Sequence, residues 1–160
     1  MSIPATNSKT GHLSRRQLLV MSASGAALSA LPFRAHAQEE NDLKTLKKEL
    51  FGDREIKKGK VSVTMPPISE NGNSVPFEFE VESPMIDDDH VTRAVILSPI
   101  NPEPLIADYG FTPASGKAAV ATRIRLAGSQ NVEVIAEMSD GTLWMGSEQT
   151  LVTLAACVIG

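Results

Sequence analysis

Among its 160 residues the chain has one cysteine, one tryptophan and one tyrosine, and aromatic residues make up 4% of it. A single cysteine, Cys157, excludes an internal disulfide. With so few aromatics, a core must rest mainly on valine, isoleucine, leucine and alanine. No apolar run is long enough for a transmembrane helix. No Ser/His/Asp order suggests a catalytic triad, and no glycine-rich loop opens a helix that would cradle phosphate. There is no internal repeat, and beyond residue 37 there is no low-complexity segment.

The first 37 residues read as an export signal. Arg15 and Arg16 directly precede a mildly apolar stretch that runs to about Leu31 and is interrupted by Ser22, Ser24, Gly25 and Ser29. Ala35-His36-Ala37 then supplies the small-x-small pattern of a signal-peptidase site, with cleavage expected after Ala37. Paired arginines point to the twin-arginine route, and hence to the periplasm. Beyond Ala37 the chain has eleven basic and nineteen acidic residues, a net charge of −8. An acidic chain of this kind argues against nucleic acid and anionic membrane surfaces as partners, since both select basic patches.

Within residues 38–153 the pattern is mostly alternating. A short helix is expected first, about residues 42–51, with Asn41 or Asp42 as cap, Leu43, Leu46 and Leu50 at helical spacing, and Gly52 as stop. Val75, Phe77, Phe79 and Val81 then alternate with Glu78, Glu80 and Glu82, the clearest period-two segment. Further strands are expected at Val61–Met65, Val91–Leu97, Leu105–Thr112, Ala118–Leu126, Val132–Met138, Leu143–Gly146 and Leu151–Ala156. Asn71-Gly72 and Asp140-Gly141 read as hairpin dipeptides, and Asn101-Pro102-Glu103-Pro104 as a stiff loop. Short strands with turn signals between them specify an all-β fold, an immunoglobulin-like antiparallel β-sandwich preceded by one short helix.

Few residues carry chemistry. Asp87-Asp88-Asp89-His90 is expected to be a solvated loop, because four consecutive side chains cannot converge on one ion without a sharp bend. Arg123 and Arg125, two apart on one strand, form a basic edge suited to an acidic partner or simply to solvent. Cys157 stands out. It follows the last strand within Ala155-Ala156-Cys157-Val158-Ile159-Gly160, which reads as an arm over residues 154–160. If the strand ends near Thr153, the four residues to Cys157 span about 13–14 Å. No neighbouring base or cation in the sequence activates the thiol, so it suits a handle loaded by another enzyme better than a catalyst.

Several blocks together resemble the SoxY family of thiosulfate-oxidation carrier proteins. They are Pro67-Ile68-Ser69-Glu70-Asn71-Gly72, Val75-Pro76, Val81-Glu82-Ser83-Pro84-Met85, Asn101-Pro102-Glu103-Pro104, Phe111-Thr112-Pro113-Ala114-Ser115-Gly116, Thr122-Arg123-Ile124-Arg125-Leu126-Ala127 and Met138-Ser139-Asp140-Gly141. The resemblance implies an immunoglobulin-like sandwich that pairs with a smaller SoxZ-like sandwich as a heterodimer. It implies a carrier, itself no enzyme and without cofactor or metal, holding sulfur intermediates covalently on Cys157. Partners would be sulfur-oxidising enzymes such as c-type cytochromes and hydrolases. The family's usual arm is Gly-Gly-Cys-Gly-Gly, whereas here Ala155, Ala156, Val158 and Ile159 flank the cysteine and stiffen the arm. The chain is thus similar to a SoxY-related subgroup with an Ala-Ala-Cys arm. Two other readings stand beside this one: a structural sandwich subunit that binds a redox enzyme and has an idle cysteine, and a thiol enzyme or peroxide sensor. The latter lacks a resolving cysteine.

Overall fold

The computed structural model describes the backbone of residues 32–156 and the side chains of residues 42–156. Arg15 and Arg16 of the expected signal, and Cys157, Val158, Ile159 and Gly160 of the expected arm, lie outside the described residues. The chain divides between Ala37 and Gln38, and the fold is that of the second unit.

The helix α1 spans Pro32–Phe51. It therefore begins earlier than the expected position near residue 42, and Asn41 and Asp42 lie inside it rather than capping it. Nothing between Pro32 and Phe51 breaks a helix, and proline is well tolerated in a first turn. Its end is as expected: Gly52 adopts a φ of 69° and donates to the Lys48 carbonyl at 2.8 Å.

Nine strands follow among the described residues: β1 Ile56–Lys58, β2 Val61–Thr64, β3 Ile68–Ser69, β4 Val75–Val81, β5 Val91–Leu97, β6 Leu105–Gly110, β7 Ala118–Ile124, β8 Gln130–Met138 and β9 Leu143–Val152. They form the expected sandwich. The larger sheet has the order β1-β9-β8-β5-β6, with β3 also pairing β9, and the smaller sheet has the order β2-β4-β7. Most pairings are antiparallel, but the two shortest strands, β1 and β3, run parallel to β9. Neither was legible from alternation, since two or three residues carry no period. The strand expected at 143–146 and the start of the one expected at 151–156 are instead one strand, β9, and residues 153–156 lie beyond its end. Ser147, Glu148, Gln149 and Thr150 contain no breaker, and they pair with β8 in unbroken register from Gln130↔Thr150 to Glu137↔Leu143.

The alternation of β4 is borne out: Val75, Phe77, Phe79 and Val81 are buried, and the residues between them are exposed. They pack against Val91, Ala94, Ile96, Val132, Val134 and Ala136 from the larger sheet. Val95, Leu97 and Ile135 face the other way and bury against Leu43 and Phe51 of α1. Strands β5 and β8 are thus covered on both sides, which is why β5 reads as a nearly continuous apolar run. An ion pair at 2.5 Å between Lys47 and Glu133 adds a polar contact between helix and sheet. Where the sheets meet at their edge, a Cβ on Gly146 would collide with the Val61 carbonyl, so β2 and β9 approach too closely there for any larger residue.

Asp140-Gly141 does close the β8–β9 hairpin. Gly141 has a φ of 81°, and the Asp140 carboxylate accepts from the Thr142 amide at 2.8 Å. Asn71-Gly72 does not close a hairpin. It carries the chain from β3, beside the larger sheet, to β4 in the smaller one.

Candidate functional site

The chain leading to Cys157 is held far more closely than the expected tether. Strand β9 ends at Val152, but the backbone stays bonded to the sandwich for four more residues. The Thr153 amide donates to the Ser69 carbonyl at 3.0 Å, and its hydroxyl donates to the Glu70 carbonyl at 3.1 Å. The Leu154 carbonyl accepts from the Gly72 amide at 2.8 Å. The Ala156 amide donates to the Leu126 carbonyl at 3.0 Å, and Leu126 in turn donates to the Gly72 carbonyl at 2.9 Å. Ser129 brackets the start of this segment, its hydroxyl accepting from the Val152 amide at 2.8 Å. Ala156 is 7% exposed. Ala156 is the last described residue, and residues 153–156 are held against the sandwich where a free tether from Thr153 was expected.

This root is assembled from three distant segments, and each contributes for a local reason. Asn71 folds its own loop: its side-chain oxygen accepts from the Asn73 amide at 2.9 Å, an Asx turn. Gly72 follows because no side chain fits. A Cβ there would lie 2.5 Å from the Leu126 oxygen and 2.8 Å from the Ala156 nitrogen. The segment around Leu126 is fixed by Asn101, which accepts from the Ala127 amide at 2.8 Å and donates to the Arg125 carbonyl at 2.9 Å. Asn101 is in turn held by a buried network. Gln130 donates to it at 3.3 Å and accepts from the Ser98 hydroxyl at 2.6 Å and the Ile100 amide at 3.1 Å. Buried polar groups are retained only when satisfied in this way. So the blocks Asn71-Gly72, Asn101-Pro102-Glu103-Pro104 and Arg125-Leu126-Ala127, scattered in sequence, converge on the root of Cys157. The sequence marked each block separately; it carried no sign of Ser129 or Gln130, whose roles depend on strands folding together.

The other candidates lie elsewhere. The Asp87–His90 segment is a tight turn in which Ile86 and Asp89 exchange backbone hydrogen bonds at 3.1 Å, and the His90 amide donates to the Ser139 hydroxyl at 3.2 Å. No group of three His, Cys, Asp or Glu side chains among the described residues is placed to hold a metal ion. Arg123 is exposed and donates to the Ser74 carbonyl at 3.2 Å, and Arg125 is exposed beyond the end of β7. An open groove of about 460 Å³ lies beside Met65, Pro66, Phe77 and Thr122, with Glu78 as its sole ionisable lining residue, so it offers no acid–base pair. The Asp108 carboxyl is held below the usual range by its hydrogen bonds from the Arg93 guanidinium, and Arg93 is raised in return. Asp140 is held low by the Thr142 hydroxyl and amide. Both stabilise the sheet or its hairpin and are remote from the root.

Among the described residues no helix is long and apolar enough to cross a membrane. Curated protein sequences provide no match. The sequence profile of the family described as sulfur oxidation protein SoxY matches residues 47–157. Among solved structures, the chain is similar to the sulfur carrier protein SoxY from Chlorobium limicola f thiosulfatophilum. The two are 26% identical with a TM-score of 0.61, over 72% of this chain and 99% of that one. A superoxide reductase (neelaredoxin) from Ignicoccus hospitalis aligns at 13% identity and a TM-score of 0.51, over 59% of this chain and 80% of its own. A putative superoxide reductase from Thermotoga maritima aligns at 17% identity and a TM-score of 0.50, over 61% and 93%. At those identities the reductases share the sandwich and nothing more. With the profile covering most of its length and ending on Cys157, the chain belongs to the SoxY family of sulfur oxidation proteins.

Proposed function

We propose that this protein is a periplasmic sulfur carrier, exported by the twin-arginine route, cleaved after Ala37, and loaded covalently on Cys157. The observation that carries the reading is the extent of the family match. It ends on Cys157, the chain's one cysteine, and the backbone just before that residue, at Ala156, is hydrogen-bonded to the sandwich. Loading joins the cysteine sulfur to a sulfur of the cargo. The thiol proton leaves, and two electrons pass to an acceptor, for which a c-type cytochrome is the fitting class. Unloading by a hydrolase adds water to the terminal sulfonate sulfur of the cargo and breaks its bond to the neighbouring sulfur. Sulfate leaves, and the remaining sulfur takes up a proton: a thiol if the sulfonate sat directly on the cysteine, a persulfide if the cargo was thiosulfate. The carrier supplies no catalytic group of its own. A SoxZ-like sandwich partner, as a one-to-one heterodimer, would cover strand edges such as β6 and β7 that the chain leaves open.

Intact mass spectrometry of the protein taken from sulfur-oxidising cells tests the reading. Wild type carries sulfur adducts that map to Cys157, and Cys157→Ser carries none and stops sulfur-compound turnover, with stability changed by no more than about 0.5 kcal/mol. A bare thiol during active turnover, or full turnover by the serine variant, refutes it and leaves the sandwich as a structural subunit with an idle cysteine.

A further inference from the structure

The start of α1 changes when the leader is removed. In the full chain the helix opens at Pro32 and has no acidic residue in its first turn. Its buried contacts with the sheet begin at Leu43, which is 7% exposed and packs with Phe51 against Val95, Leu97 and Ile135. The boundary between the chain's two units falls between Ala37 and Gln38, at the expected cleavage site. Cleavage there leaves a helix that opens Gln38-Glu39-Glu40-Asn41. A helix start favours negative charge, because its first N–H groups have no intrahelical partner and the aligned peptide dipoles sum to a partial positive charge. Glu39 and Glu40 supply that charge to a helix that begins near residue 38. In a helix that begins at Pro32 they lie past the first turn.

A free α-amino group on Gln38 works against this arrangement. With an ordinary pKa of about 7.7–8.0 it is mostly protonated at neutral pH, and it places a positive charge at the positive end of the helix. Glutamine can remove that charge with its own side chain. The neutral amine attacks the side-chain carbon Cδ, and a new C–N bond closes a five-membered ring. The bond from Cδ to Nε2 breaks, and Nε2 leaves as ammonia with the proton given up by the amine. Nothing is oxidised or reduced, and an attack within one residue needs no second molecule. The nitrogen consumed is one of the helix's unpaired donors, so no helix hydrogen bond is lost. The Gln38 carbonyl remains the first acceptor of the helix.

We propose that Gln38 of the exported protein is converted to pyroglutamate, so that mature α1 begins with a neutral, blocked residue followed by Glu39 and Glu40. The inference rests on cleavage after Ala37, as read above, and does not depend on any cargo at Cys157. Loss of the terminal charge suits the helix start. The ring also removes the free amine that an aminopeptidase needs.

The test uses protein purified from the periplasm of its own cells. Its tryptic peptide spanning residues 38–44 is weighed, beside a synthetic peptide of the same sequence carried through the same digestion to correct for ring closure during handling. The expected peptide is lighter than the open sequence by one ammonia, and N-terminal sequencing of the intact protein is blocked. Treatment with pyroglutamyl peptidase lifts the block, and the sequence then reads from Glu39. Gln38→Ala, exported by the same leader, keeps its full peptide mass and sequences directly. A mature chain that begins with open Gln38, or a ring no more abundant than in the handling control, overturns the inference and leaves the cleavage site standing. A mature chain that begins at any other residue overturns both.

Discussion

Gly72→Ala isolates the clamp at the arm's root, because alanine is permitted by the backbone there and excluded only by its neighbours. Gly72 does not have a positive φ. The added Cβ would lie 2.5 Å from the Leu126 oxygen and 2.8 Å from the Ala156 nitrogen, both backbone atoms that cannot rotate aside. The cheapest relief is for residues 153–156 to let go. That breaks the bonds from Gly72 to Leu154 and from Ala156 to Leu126, each contributing about 0.5–1.5 kcal/mol net. Alanine also lowers the entropy of the unfolded chain, which offsets about 0.4–1 kcal/mol. The expected net loss is about 1–2 kcal/mol, with the free tether lengthened by about 10–14 Å. Urea denaturation measures the first quantity. Hydrogen exchange at the Ala156 amide measures the second, and its protection should fall to that of a solvated chain. Gly110→Ala is the control, since a Cβ there meets nothing within 4 Å. If Gly72→Ala keeps Ala156 protected and lies within about 0.5 kcal/mol of wild type, contact at Gly72 is not what holds residues 153–156 against the sandwich.

Asn101→Ala should destabilise by about 1–3 kcal/mol in urea, because it strands the Ala127 amide and the Arg125 carbonyl in a largely buried site, and it should also raise exchange at Ala127. Asp108→Asn should alter the acid limb of stability. The folded carboxyl titrates below its unfolded value of about 3.9, so the stability it contributes is complete above that pH and is lost as pH falls through the folded value. Urea midpoints of wild type and Asp108→Asn should therefore differ most near neutrality and converge as the pH falls through the folded value, below about 3.9. A difference that stays constant across that range would mean the Arg93–Asp108 pair does not titrate as described.

The larger elements of the fold were written locally. The alternation of β4, the apolar run of β5, the Gly52 helix stop and the Asp140-Gly141 hairpin each follow from a few adjacent residues, because strand period and turn chemistry act over that range. The family was legible from short blocks for the same reason. What the local signal missed had its cause at a distance. Ser147–Thr150 looked like an interruption and became mid-strand, because β8 offers an unbroken ladder opposite them. Ile68–Ser69 became a strand only because β9 runs alongside. Asn71-Gly72 had the composition of a hairpin turn, yet its glycine is required by the backbones of Leu126 and Ala156, which lie 54 and 84 residues further along the chain. The sequence by itself determined that there would be a sandwich with one cysteine after its last strand. That the chain before that cysteine stays bonded to the body through Ala156 was decided by tertiary structure, since hydrogen bonds among residues 72, 126, 154 and 156 exist only once the sheets have packed.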